Sequence, residues 1–276
     1  MRLGIFAKTF EGKDPATVMS AAKAAGFSTV QYNMACSGLA SMPDVISEAQ
    51  AVVVAHAAQK NVVSVAAVSG TYNMIHPDVA VRNRGLARLH VLASRAHAMG
   101  TRVITLCTGT RDAEDQWRHH PDNSSRQAWQ DLLAAMQSAL AIAETYDVEL
   151  AIEPELANVV SSAAKARELI AELQDSRLRV VLDAANLFEQ VAAEEQRRIV
   201  SSAVDSLADH MVMAHAKDRS TDGGFVAAGK GVLDYGHYLS CLKRVGFDGS
   251  LVTHGLSAEE APGVSVFLRD ALGKVA

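Results

Sequence analysis

Short apolar runs rich in β-branched residues recur along the chain at 3–7, 28–32, 62–68, 102–107, 148–152, 178–182, 210–214 and 250–253. Longer Ala-rich stretches follow each run, as buried strands alternating with helices require. A run apolar on both faces suits a parallel sheet, whose neighbouring strands need crossover helices. Eight strand–helix pairs in 276 residues predict an α/β fold: a (β/α)8 TIM barrel formed as one domain over 1–276. An open doubly wound sheet is the other arrangement such units can build.

Local signals set the helix boundaries. Asp14-Pro15, Met42-Pro43-Asp44, Asp78, Ser124-Ser125, Ser161-Ser162 and Ser257 mark starts, where short polar side chains accept from free backbone N–H groups. Gly26, Gly100 and Gly246 mark ends. The connections are short except for 108–123 and 216–234. Both follow strands, and in a barrel the C-terminal strand ends carry the active site.

Composition narrows the partners. A formal charge of -5 supplies no basic surface for a phosphate backbone, so nucleic acid is not expected. Cys36, Cys107 and Cys241 are odd in number and lack CxxC spacing, which predicts neither a disulfide framework nor a zinc cluster and fits a reducing cytoplasm. MRLGIFAK reads as a strand rather than a signal segment, and no window has the ~20 apolar residues of a membrane span. A soluble protein with no membrane partner is expected.

Candidate chemistry lies where the strands end. The fifth run leads into Glu153, the sixth into Asp183, the seventh into His215 and the eighth into His254. Two carboxylates and two imidazoles suit one divalent ion, Mn²⁺ first, with Mg²⁺, Co²⁺ or Zn²⁺ as alternatives. Each residue also has a structural reading: Asp183 as the cap of a helix beginning near Ala184, His215 as a hydrogen-bonded core histidine. Four such residues at the same end of four successive strands favour the metal reading.

With GTYNMIHPD after the third run, AIEPE at the fifth, VVLDAAN at the sixth, HAKD at the seventh and GKGVLDY before the last helix, the chain resembles the sugar phosphate isomerase/epimerase group, or xylose isomerase-like barrels. Tagatose epimerases and inosose dehydratases are among that group's members. The resemblance spans nearly the whole sequence and implies that Glu153, Asp183 and His215 bind a divalent metal. It also implies a Glu at the end of the eighth strand, paired in proton transfer with the fifth-strand Glu; here GSLVTHGL places His254 there. Asn186 stands where tagatose-epimerase relatives carry a substrate-holding His. Homo-oligomerisation is expected by the same analogy.

Further candidates flank these positions. Lys217 can stabilise an enolate or alkoxide, although a loop lysine is more often a solvated charge, and Asp218 can orient it. Glu155 can bind substrate hydroxyls or cap the next helix. His76, before Pro-Asp, can contact substrate or metal from the side of the third strand, or merely start a helix. In RDAEDQWRHHPDN, Trp117 suits a sugar's apolar face, and Arg118 or His120 an anionic group. His56, His90 and His97 fall in helix patterns and read as surface or packing residues. AAGKG and STDGG lack the strand–glycine–helix framing of a nucleotide site.

The expected activity is metal-assisted proton transfer beside a carbonyl of a small sugar or polyol: isomerisation or epimerisation with Glu153, His254 and Lys217 as catalytic groups. A lyase or dehydratase on a keto-sugar or inosose is the alternative, and a metal- and sugar-binding barrel without catalysis the third reading. An apurinic-endonuclease hydrolase would need a larger metal cluster and a DNA-binding surface. Xylose isomerase itself uses two metals, and the residues here supply one set of ligands.

Overall fold

The computed structural model describes residues 1–275. In chain order its elements are β1 (Arg2–Phe6), α1 (Pro15–Ala24), β2 (Thr29–Tyr32), α2 (Glu48–Lys60), β3 (Ser64–Ser69), α3 (Val79–Ala96), β4 (Val103–Cys107), α4 (Arg126–Tyr146), β5 (Glu149–Glu153), α5 (Ala163–Leu173) and β6 (Leu178–Asp183). There follow α6 (Ala193–Leu207), β7 (Met211–Ala216), β8 (Asp218–Arg219), β9 (Phe225–Val226), α7 (Tyr235–Arg244), β10 (Ser250–Thr253) and α8 (Ala261–Lys274). Eight parallel strands close into a barrel in the order β1-β10-β7-β6-β5-β4-β3-β2, sealed where Arg2 to Ile5 pair with Ser250 to Thr253. This is the (β/α)8 TIM barrel expected from the strand–helix alternation.

Two layers of apolar packing hold it. The larger cluster fills the space between strands and helices, with Ile5, Val30, Leu150, Leu182 and Leu251 facing Leu89, Leu132, Leu169 and Leu239. A smaller one, Ala67, Ala151, Val181, Met213 and Val252, plugs the barrel axis. Side chains alternate along a strand, so the residue two places beyond each axial one also points inward, at the open end. From Ala151, Val181, Met213 and Val252 that step reaches Glu153, Asp183, His215 and His254. Gly4 lets the axis close tightly: a Cβ there would stand 2.7 Å from Thr29 Cγ2 and 3.0 Å from Val252 Cγ2.

Most boundaries follow the local signals. Asp14, Asp78, Ser125 and Ser162 cap α1, α3, α4 and α5, and Gly26, Gly100 and Gly246 adopt the left-handed conformation. Three expectations shift. The helix expected from Met42-Pro43-Asp44 begins at Glu48, because Ser47 and Gln50 form a reciprocal capping box; Asp44 instead pairs with Arg88 at 2.7 Å. Ser257 caps only a turn leading to α8, exchanging hydrogen bonds with Glu260 of 2.9 and 3.4 Å. The third strand starts at Ser64 rather than 62, since Val62 sits at φ 53° in the turn leaving α2. Among the described residues no helix is long and apolar enough to cross a membrane.

The two long connections both lie at the C-terminal strand ends. The second is built: β8 and β9 pair as a small antiparallel hairpin. The Asp218 carboxylate accepts from the amides of Arg219, Gly229, Gly231 and Leu233, at 2.8 to 3.1 Å. Asp218 therefore shapes this loop and does not orient Lys217 as expected. Gly231 must lack a side chain, because a Cβ there would lie 2.1 Å from the Arg219 carbonyl oxygen.

Candidate metal centre and active site

Glu153, Asp183 and His215 occupy the last or next-to-last positions of β5, β6 and β7, and His254 follows β10 directly. Register aligns them, with Asp183 opposite His215. One donor atom from each lies within 4.8 Å of all the others. His215 Nδ1 is 3.1 Å from Glu153 Oε1 and 3.9 Å from Asp183 Oδ2, His254 Nε2 is 3.0 Å from Asp183 Oδ2, and the two ring centroids are 4.4 Å apart. Asp183 caps as its sequence position suggests, Oδ1 accepting from the Ala185 amide at 2.9 Å at the start of a turn of 3-10 helix, while Oδ2 faces the cluster.

The donor set fits a cation. His215 Nε2 lies 2.8 Å from Gln31 Oε1, and Gln31 Nε2 donates to Thr105 Oγ1 at 3.0 Å. Both nitrogens of His215 thus face oxygens, an arrangement satisfied by an imidazolium donating to both or by a cation held between Nδ1 and the carboxylates. With a cation at Nδ1, the Nε2 proton would point to Gln31, the kind of hydrogen-bond partner that metal-bound histidines usually have. Burial raises the Asp183 carboxyl, but the Lys217 ammonium and the hydrogen bond and charge of His254 outweigh it and hold the group well below the usual carboxylate range. Burial likewise opposes ionisation of Glu153, and the charge and hydrogen bond of His215 reverse it. Burial, then the neighbouring His215 charge, lowers the pKa of His254. Ionised carboxylates and a neutral imidazole are the forms that ligate metal.

Glu153, His215 and His254 line a cavity of about 550 Å³, and Asp183 is fully buried. Lys217 is not the solvated loop charge that its position suggests: it is buried, with Nζ 3.2 Å from Asp183 Oδ2 and 2.7 Å from Asn186 Oδ1. Asn186 Nδ2 donates to Glu153 Oε1 at 2.7 Å, so one amide links the ammonium to the carboxylate. Glu155 lines the cavity and caps no helix, α5 being capped by Ser162. Burial, then the charge of Glu153, pushes its carboxyl up to about 7. Trp117 also lines the wall, although half of it is exposed.

Three candidates sit elsewhere. His76 walls a neighbouring chamber, where its Nε2 donates to the Ala113 carbonyl at 3.0 Å and its Nδ1 accepts from the Asp78 amide at 3.0 Å, tying loop 108–123 to the start of α3. His120 lies outside the wall of the central cavity: its Nδ1 accepts from the Asp122 amide at 3.2 Å and caps the turn Pro121–Ser124. Arg118 is likewise occupied, by Asp112 at 2.9 Å. Gln31 and Phe225 were not foreseen. Gln31 is the inward-facing polar residue of β2, one place before the strand's end, and alternation within STVQY is the signal for it. Phe225, on the hairpin, lies 3.7 Å from Lys217 Nζ and lines the cavity, with no periodic signal to mark it.

The fold has many relatives among solved structures. An L-ribulose 3-epimerase matches with a TM-score of 0.78 at 16% identity, over 99% of this chain and 95% of that one. A 3-keto-D-glucoside 4-epimerase from E. coli matches with 0.73 at 16% identity, over 100% and 98%. The IOLI protein, solved with a zinc atom, matches with 0.75 at 17% identity, over 100% and 99%. A comparison with curated proteins found no match at the level of sequence. A sequence profile described as xylose isomerase-like TIM barrel matches residues 19–266, and the chain belongs to that family.

Proposed function

We propose that this chain is a divalent-metal-dependent isomerase or epimerase of a small sugar or sugar-like polyol. The convergence of Glu153, Asp183, His215 and His254, three of which line the 550 Å³ cavity while Asp183 is buried, carries the reading. That structural neighbours include sugar epimerases and a zinc-containing protein supports it. The four residues would hold one ion, Mn²⁺ first. Bound there, a divalent ion polarises a carbonyl and makes the adjacent C–H more acidic.

The chain's own groups supply the rest. The Glu153 carboxylate, held through Oε1 by Asn186, faces the cavity and takes the proton from the carbon beside the carbonyl. Lys217, fixed by Asn186 and Asp183, presents an ammonium to the oxygen on which negative charge develops. Glu155 accepts hydrogen bonds from substrate hydroxyls, and Trp117 with Phe225 shields the site from water. His254, in place of the family's glutamate, returns or shuttles a proton when it is not ligating.

His254 also favours a second reading, a lyase or dehydratase. Its ring is engaged by Asp183 at 3.0 Å, so the group at that position is not free to return a proton to the carbon, and loss of a β-hydroxyl as water would complete the reaction instead. The cytoplasm as location and a homo-oligomer as assembly belong to the same proposal, the latter checked by light scattering. The decisive experiment is metal analysis of the purified protein beside Glu153→Ala and His254→Ala, each then screened in Mn²⁺ against ketoses, aldoses and inososes. Stoichiometric metal lost in both variants, with turnover by the wild type, supports the proposal, and the product separates isomerase from lyase. A folded wild type that takes up no metal sinks it.

A further inference from the structure

The central cavity does not end at its own wall. A second chamber of about 590 Å³ adjoins it, and both are bounded by Ser41, Thr71 and Gln116, residues from the connections after β2, β3 and β4. Each volume lies within the roughly 300–1,000 Å³ that holds a whole drug-sized ligand. A monosaccharide seated over Glu153 and His215 would leave the second chamber to solvent.

The second chamber is built at some cost. Gly85 interrupts the middle of the eighteen-residue α3, where glycine is disfavoured by about 1 kcal/mol relative to alanine. It is required because a Cβ there would lie 2.1 Å from Tyr72 Cδ2: the tyrosine ring packs directly against the helix at this point and forms part of the chamber wall. The buried Tyr72 hydroxyl has no hydrogen-bond partner among the described residues, and buried hydroxyls are normally satisfied.

The charges select the ligand's chemistry. Arg88 is already held by Asp44 at 2.7 Å, and Asp112 by Arg118 at 2.9 Å. The remaining rim charges, Arg84 against Glu114 and Asp115, are mixed in sign. A phosphate would call for converging cations. A neutral polyhydroxylated group, able to donate and accept along the wall, suits this lining better.

Resting on the sugar-isomerase reading above, we infer that the substrate spans both chambers: the reacting sugar lies over the metal-ligand cluster and a glycosyl unit attached to it fills the chamber beside Tyr72 and α3. The test is calorimetric titration of the Mn²⁺-supplemented protein with isomaltulose, a ketose glucosylated on its terminal hydroxyl, with D-fructose, and with fructose phosphorylated at that hydroxyl. Turnover is assayed on the same samples. Isomaltulose should bind at least tenfold more tightly than fructose. Ala113→Trp, which fills the second chamber from an exposed loop position, should remove most of that advantage. Arg84→Ala, on the exposed face of α3, repeats the test if the tryptophan variant folds poorly.

Equal affinities, an advantage that survives both variants, or tighter binding of the phosphate ester overturns the inference. Fructose turnover without any preference for isomaltulose sinks the two-chamber substrate and leaves the isomerase reading intact. Isomaltulose bound with dependence on the second chamber, yet never converted, does the reverse.

Discussion

Gln31 shows what a single residue contributes here. It touches none of the other three candidate ligands, yet its amide oxygen lies 2.8 Å from His215 Nε2 and so orients the ring that presents Nδ1 to the cluster. Gln31→Leu should therefore weaken Mn²⁺ binding about 10–100-fold, the usual effect of losing such a partner, and should also lower the melting temperature of the metal-free protein, since His215 and Thr105 each lose a buried partner at a cost of about 1–3 kcal/mol. Metal titration by calorimetry reads the first quantity and a thermal melt the second; unchanged affinity would show that His215 is not a ligand oriented this way. The cysteines make a different residue-scale case. Burial raises Cys36 to about 11 and Cys107 to about 12, so at pH 8 roughly one molecule in a thousand or fewer carries either thiolate. Iodoacetamide should leave both unmodified in the folded protein and label them after denaturation, with peptide mass spectrometry as the readout. The four clustered residues were legible because each closes a strand whose apolar run is plain. Gln31 was less so, being one place short of the end, and Phe225 not at all, since its position depends on a hairpin organised by the distant carboxylate–amide contacts of Asp218.

At the scale of elements, two competing effects meet at Gly85. Alanine would favour the helix by about 1 kcal/mol, but its Cβ would overlap the Tyr72 ring at 2.1 Å, and overpacking of a fitted core typically costs about 1–3 kcal/mol. Gly85→Ala should therefore destabilise the protein despite better helix propensity, seen as a lower urea midpoint; a higher midpoint would mean that the ring moves aside freely. The hairpin gives the complementary prediction. Asp218→Ala leaves four inward-facing amides without their acceptor, and each buried donor so stranded costs about 1–3 kcal/mol. Amide exchange should rise across 218–233 while the barrel strands stay protected, because β8 and β9 pair only with each other. Strand and helix order was readable from alternation and caps. The boundary errors arose where two capping candidates competed: Ser47 with Gln50 satisfies two amides reciprocally, whereas Asp44 is drawn off by Arg88 of α3, a contact invisible to local reading.

For the whole molecule, the barrel turns a period of two into a cluster: the same alternation that seals the axis with Ala151, Val181, Met213 and Val252 delivers two carboxylates and two imidazoles to one point. Two of those groups, Asp183 and His215, are almost wholly buried, and the folded chain bears the desolvation of ionised Asp183 with Lys217 as its nearest cation. Unfolding separates the four donors across 153–254, so a metal that needs all of them binds the native state alone and stabilises it by mass action. At a free Mn²⁺ concentration a hundredfold above Kd the gain is about 2.7 kcal/mol, which for a chain of this size is a rise of roughly 5–10 °C in Tm. Asp183→Asn removes a ligand charge while preserving shape, and should abolish most of that rise. Val266→Ala, at an exposed position on α8, should keep it. If Mn²⁺, Co²⁺ and Zn²⁺ all leave the wild-type melt unmoved, the cluster is a buried hydrogen-bond network built around Lys217 and not a metal centre, and its charges serve the fold alone.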